Sequence, residues 1–174
     1  DVVGKTRRRV AAELVSDLER IYARKKAANK ELTELLAATG TTLTDLHGIG
    51  PSGAARLLVE VGDITPFPDR DHFASWNGTA PIDASSGDQV RHRLSRQGNR
   101  QVNHVLHIMA TVQLRNATEG RAYYDRRKAD GKTSMEAMRA LKRRLSNIVY
   151  KTMLDDAVRH AATGAGTGPG GQWD

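Results

Sequence analysis

Between Val10 and Ala38 the apolar positions Leu14, Leu18, Ile21, Ala28, Leu32 and Leu35 follow at alternating four- and three-residue steps once Lys25 is counted in register. That spacing predicts a long helix with a heptad seam, in which Lys25 and Ala28 are the weak layers. A helix of about 30 residues extends roughly 45 Å and needs a partner, either the same helix of a second chain or another helix of this one. Gly40 and the threonines behind it end the pattern.

The rhythm then shortens. Leu43 and Leu46 precede a Gly48-Ile49-Gly50-Pro51 turn, after which Ala54, Ala55, Leu57, Leu58 and Val61 form a helical apolar face. Pro51 suits a first helical turn, and the glycines allow two short helices to meet closely. The arrangement resembles a helix-hairpin-helix, whose hairpin amides and helix N-terminus can hold a phosphate; an ordinary αα-turn is the alternative. A short helix is expected near Asp69 to Trp76, with Phe67, Phe73 and Trp76 read as core packing rather than a base-stacking platform.

In "VRHRLSR" the residues alternate, Val90, His92 and Leu94 against Arg91, Arg93 and Ser95, which predicts a short strand or hairpin arm with arginines on one face. Arg96, Asn99 and Arg100 then open a helix striped by Val102, Val105, Leu106, Met109 and Val112. A helix over Gly120 to Ala129 follows. Thr133 and Glu136 form a capping box for a last helix with Met138, Leu141, Leu145, Ile148 and Val149 on one face and Arg139, Lys142, Arg143 and Arg144 largely on the other. The expected fold class is mainly α: a coiled-coil arm over 1–40, then a compact helical domain over 41–160 with a helix-hairpin-helix and a short β-hairpin or extended arm. A Gly-rich tail over 161–174 is expected to be disordered.

Composition changes this picture in one direction. The 174 residues carry a formal net charge of +7 and a pI near 10.0, which favours a polyanionic partner such as nucleic acid, with solubility alone as the bland reading. Between Asp88 and Glu119 every formal charge is positive. The absence of cysteine excludes a disulfide framework, a thiolate nucleophile and a thiolate zinc site. No apolar run approaches the ~20 residues of a membrane span and no signal-peptide core is present, so a soluble intracellular protein is expected. Because the chain opens on Asp1 and runs straight into a helical pattern, a piece of a longer protein is also expected.

Candidate chemistry centres on Ser85 and Ser86, followed by Gly87 and then Arg91, Arg93 and Arg96. A hydroxyl attacking a phosphodiester needs cations to stabilise the charge that develops on the phosphoryl oxygens. Ser-Ser-Gly is also a common turn sequence, so spacing alone leaves both readings open. His104 and His107 share a helix face without an obvious third ligand, the Gly48-Ile49-Gly50 turn lacks the P-loop spacing, and the carboxylates read as solvated i,i+4 partners. No metal site and no complete two-metal nuclease centre is visible.

The stretches "LHGIGPSGAARLLVEVGDITPFPDRDHFASWNGTAPIDASSG", "RHRLSRQGNRQVNHVLHIMATVQLR" and "YYDRRKADGKTSMEAMRALKRRLSNIVYKTML" together resemble the C-terminal transposase domain of the IS110 family of bacterial insertion sequences, relatives of the Piv and MooV DNA invertases. The resemblance covers roughly Leu43 to Leu154, and the heptad helix resembles the arm that joins this domain to the rest of such transposases.

The resemblance implies a partnership with an N-terminal RNase H-like domain, whose DEDD carboxylates would hold magnesium. This chain would supply a serine nucleophile, and an element-encoded guide (bridge) RNA would direct the enzyme to DNA. On that implication Ser86, with Ser85 as the alternative, would form a covalent phosphoserine. Gly48, Gly50, Arg91, Arg93, Arg96, Asn99 and Arg100 would contact nucleic acid, the heptad seam would support a homodimer or higher oligomer, and the setting would be the bacterial cytoplasm at the nucleoid. No cofactor is expected in this chain itself, and without the DEDD domain it is expected to be inactive. The alternative is a catalytically inactive basic nucleic-acid-binding module or a degenerate transposase remnant.

Overall fold

The computed structural model describes residues 1–83, 92–93 and 98–164. The chain divides into two compact units, residues 1–39 and 40–174. The first is one unbroken helix, α1 (Val2–Thr39), of 38 residues and roughly 57 Å in length. Helical backbone extends N-terminal to the Val10–Ala38 pattern, and the Asp1 carboxylate accepts the Val3 N–H at 3.0 Å. Arg9 pairs with Glu13 at 2.7 Å and Lys30 with Glu34 at 3.9 Å, both at i,i+4 spacing. Along the heptad seam Leu14, Leu18 and Ile21 are 63%, 51% and 60% exposed.

The second unit is mainly helical. A 3₁₀ turn (Leu43–Asp45) leads into α2 (Pro51–Val61) and α3 (Arg70–Trp76), and after the segment that bears the serines come α4 (Arg100–Leu114), α5 (Glu119–Ala129) and α6 (Ser134–Ala162). Ile82–Asp83 (β1) pairs antiparallel with His92–Arg93 (β2), Ile82 opposite Arg93 and Asp83 opposite His92. Helix α6 packs on α3, α4 and α5, while α2 packs on α4. Leu57, Phe73, Leu106, Met109, Leu141 and Leu145 lie fully buried where these helices meet. Among the described residues no helix is long and apolar enough to cross a membrane.

Local sequence explains where these helices start. Asp69 accepts the N–H groups of Asp71 and His72, Asn99 those of Gln101 and Val102, and Thr118 that of Arg121. Thr133 and Glu136 close the capping box in both directions. The apolar stripe of α4 is buried as the periodicity predicts, at Val102, Val105, Leu106 and Met109. Phe67, Phe73 and Trp76 pack edge-on and stacked at 5.2–5.8 Å between centroids, so they belong to the core.

The face of α6 differs from its apolar pattern. Ile148 is exposed, while Ser146 and Asp156 are buried in the inward row. Each polar group finds partners there: Ser146 accepts from Asn77 Nδ2 at 2.8 Å, and Asp156 accepts from Thr41 Oγ1, Thr42 N and Thr42 Oγ1 at 2.9, 2.9 and 2.7 Å. The glycine-rich tail from residue 165 and most of the Val90–Ser95 alternation lie outside the described residues.

Candidate nucleic-acid interface

Ser85, Ser86, Arg91 and Arg96 lie outside the described residues, and Arg93 is described only as a backbone position of β2 opposite Ile82. What the structure describes is the frame that receives both ends of this segment. The chain leaves the core at Asn77-Gly78 and returns at Gly98-Asn99, and these two dipeptides pack backbone against backbone. A Cβ on Gly98 would stand 2.3 Å from Gly78 N, 2.5 Å from Gly78 Cα and 2.7 Å from the Asn77 carbonyl carbon, so only glycine fits. Asn99 N–H donates to Trp76 O at 2.8 Å, and Asn103 Nδ2 donates to Asn77 O at 2.9 Å.

A polar network extends from that junction into the core. Asn77 is fully buried; its Nδ2 donates to Ser146 Oγ, and its Oδ1 accepts Thr79 Oγ1 at 2.6 Å and Thr79 N at 3.2 Å. Lys142 Nζ donates to Asn103 Oδ1. Burial lowers the Lys142 amine from its ordinary value, since the charged form loses water there. Asn99 has both ends of its amide engaged, Oδ1 as the α4 cap and Nδ2 donating to Glu60 Oε2 at 2.8 Å. Its described partners are thus all within the fold. Arg100, the next residue, is exposed.

Gly48 and Gly50 form the predicted turn and differ in duty. Gly48 has φ +96°, and a Cβ there would meet Met109 O at 2.9 Å, so the hairpin lies directly on the α4 backbone. Gln113 Nε2 secures it by donating to His47 O at 3.1 Å. Gly50 precedes Pro51 at the start of α2, has open space where a Cβ would stand, and offers no side-chain cap to that helix. The hairpin sits beside Met109 and Arg100 begins α4, nine residues away in sequence. At 1.5 Å per residue they stand roughly 13 Å apart along the helix. Arg100 has a closer neighbourhood at the middle of α2, where Arg56 donates to Gln101.

A cleft of about 380 Å³ opens beside the exit of the serine-bearing segment, between Thr79–Pro81, α5 and α6. Five cations line it, Arg127, Lys132, Arg139, Lys142 and Arg143, against one carboxylate, Glu136. Glu136 is committed to the Thr133 cap, whose N–H and hydroxyl hold its acid strength up. Arg143 bonds Asp71, and Arg127 donates to Tyr123 Oη at 3.1 Å. The helical pattern puts Arg139, Lys142 and Arg143 largely on the face opposite the apolar one and gives no sign of this cleft. The only local signals were the Asn-Gly and Gly-Asn dipeptides at 77–78 and 98–99, which read as turns. The two exposed histidines of α4, His104 and His107, join no metal-ligating group; among the described residues no cluster of three or more potential ligands occurs.

Comparison with known proteins gives a consistent likeness. Residues 40–125 match the family described as transposase IS116/IS110/IS902. The chain is 33% identical over 160 residues to the uncharacterized 43.6 kDa protein of insertion element IS110 from Streptomyces coelicolor, covering 90% of this chain and 40% of that protein. It is 34% identical over 113 residues to the uncharacterized 42 kDa protein of IS900 from Mycobacterium paratuberculosis, covering 64% and 28%. It is also 24% identical over 151 residues to the uncharacterized 44.8 kDa protein of IS116 from Streptomyces clavuligerus, covering 84% and 38%. The chain therefore spans about two fifths or less of the length of these relatives.

Proposed function

Because the chain belongs to the IS116/IS110/IS902 transposase family, we propose that it supplies the serine-bearing part of a DNA strand-exchange enzyme. Ser86, with Ser85 as the alternative, attacks a DNA phosphodiester. Its Oγ–P bond forms as the P–O bond to one strand breaks, and the proton lost by the serine goes to the departing strand hydroxyl. The hydroxyl of the exchanged strand then displaces the serine. Arg91, Arg93, Arg96 and Arg100 hold phosphates or contact a guide RNA, because charge develops on phosphoryl oxygens during such a step.

The observation that carries this reading is the Gly78/Gly98 junction. It fixes both ends of the serine-bearing segment to a rigid core, which is how a nucleophile on a connecting segment is brought to its target. The Gly48–Pro51 turn, between the 3₁₀ turn and α2, takes a further phosphate, and the exposed Leu14, Leu18 and Ile21 of α1 form a coiled-coil seam for self-association. The magnesium implied by the family would be held by the carboxylates of the DEDD domain; among the described residues of this chain no group of three or more His, Cys, Asp or Glu that could hold a metal ion occurs. The five cations that line the cleft beside this segment favour a second reading, a basic binding module that holds nucleic acid without reacting.

Joining the chain to a family DEDD domain separates the two. Ser86→Ala then abolishes strand exchange while leaving DNA affinity within about twofold. Retained exchange in that variant sinks the serine assignment.

A further inference from the structure

The cleft between Thr79–Pro81, α5 and α6 has a feature that strand exchange by itself does not require. Its lining joins the apolar Ala80, Pro81 and Ala140 to the cations Arg127, Lys132, Arg139, Lys142 and Arg143, while the Tyr123 ring in the same wall is engaged by the guanidinium groups of Arg126, Arg127 and Arg144 at 5.7, 5.2 and 5.1 Å from its centroid. The side chains of two of the lining cations, Lys132 and Arg139, make no hydrogen bond or salt bridge among the described residues, although both help to hold down the Glu136 carboxyl, whereas Lys142 and Arg143 bond Asn103 and Asp71. A ligand that satisfies both parts is flat and weakly polar at one end and anionic at the other. At about 380 Å³ the cleft falls at the small end of ligand pockets, roughly 300–1,000 Å³, and admits a single nucleotide rather than a duplex.

Position favours a nucleotide of the reacting DNA. Pro81 is five residues from Ser86, a tether of at most roughly 18 Å. Resting on the proposed reading, we infer that this cleft receives one unstacked nucleotide of the DNA strand near the phosphate that the serine attacks. The base lies against Ala80, Pro81 and Ala140, and its phosphate lies between Lys132 and Arg139. Proteins that act on DNA draw single nucleotides out of the stack in this manner when the protein supplies a fitted apolar pocket.

The test uses the 174-residue chain and 2-aminopurine placed within single-stranded DNA, the same sequence as duplex, its RNA counterpart, and free dAMP. The single strand should give a saturable fluorescence change, with dAMP far weaker because it lacks the flanking phosphates. Ala140→Leu, which fills the cleft, should weaken single-strand binding about 5- to 150-fold, the range for loss of one stacked base, and leave duplex binding unchanged. Lys132→Ala/Arg139→Ala, which removes side chains that make no hydrogen bond or salt bridge in the described fold, should lower the slope of log affinity against log salt by about 0.7 per phosphate lost. This second variant decides the matter if Ala140→Leu fails to fold. Unchanged single-strand binding and slope in the variants overturns the cleft assignment and leaves the family reading standing, as does capture of RNA alone. A wild-type chain that binds neither single-stranded nor duplex DNA overturns both.

Discussion

Gly98→Ala tests whether the junction really governs the serine-bearing segment. The added Cβ would stand 2.3–2.7 Å from three backbone atoms of Asn77 and Gly78, where ordinary carbon contacts lie near 3.5–4.0 Å. Backbone cannot rotate away as a side chain can, so the two dipeptides must separate by roughly 1 Å. That distance breaks the bonds from Asn99 N–H to Trp76 O and from Asn103 Nδ2 to Asn77 O, now 2.8 and 2.9 Å. Two hydrogen bonds at about 0.5–1.5 kcal/mol each, with about 1–3 kcal/mol for overpacking, give a loss of about 2–6 kcal/mol. The melting temperature should fall by about 5–15 °C. Urea unfolding followed by Trp76 fluorescence, in a Trp173→Phe background, reports on this unit. Gly53→Ala is the control: its Cβ would make ordinary contacts at 3.5 Å with Ile49 and Val105, and alanine inside a helix should stabilise by about 0.5–1 kcal/mol. A Gly98→Ala loss below about 0.5 kcal/mol would refute the reasoning.

Further outcomes follow from the same contacts. Asp156→Ala strips the acceptors from Thr41 and Thr42 and leaves the Thr42 N–H unpaired, so urea unfolding should show a loss of about 2–4 kcal/mol. Asn99→Ala should cost about 1–2 kcal/mol through the lost α4 cap, whereas Arg100→Ala should leave stability within about 0.5 kcal/mol and reduce the salt slope of DNA binding by about one phosphate. The His72 N–H and then its ring hold Asp69 down to about 2, from the ordinary value near 3.8. A carboxylate depressed in the folded state stabilises above its unfolded value and loses that contribution as pH falls through the folded one. The His72 amide resonance should therefore titrate with a midpoint near 2, and a midpoint at the ordinary value would contradict the cap.

The parts of this protein legible in the sequence are those governed by neighbours within one or two helical turns. Thr133 and Glu136 announce the start of α6 because a capping box needs only a three-residue spacing, and Val102, Val105, Leu106 and Met109 announce the buried side of α4 because helical period alone aligns them. Gly48 was legible as a turn glycine, and its φ of +96° explains why. The remainder depends on approaches between distant segments. Gly98 is required by Gly78, twenty residues earlier, and Ser146 is buried because Asn77 bonds it, 69 residues away. Periodicity placed Ile148 inward, yet the partnered Ser146 and Asp156 took the inner row. The cleft escaped for the same reason, since its cations on α5, α6 and the turn between them meet Gly78–Pro81, a distant stretch that no local pattern ties to them.

The central claim concerns which atom reacts with DNA. With the chain joined to a family DEDD domain and incubated with its DNA, a denaturation-resistant protein–DNA adduct can be digested with nuclease and trypsin, and the peptide spanning residues 71–91 read by mass spectrometry. The account predicts a nucleotide remnant on Ser86, absent in Ser86→Ala. A remnant on any residue outside the Ser85-Ser86 pair, or an adduct that survives replacement of both serines, would contradict it.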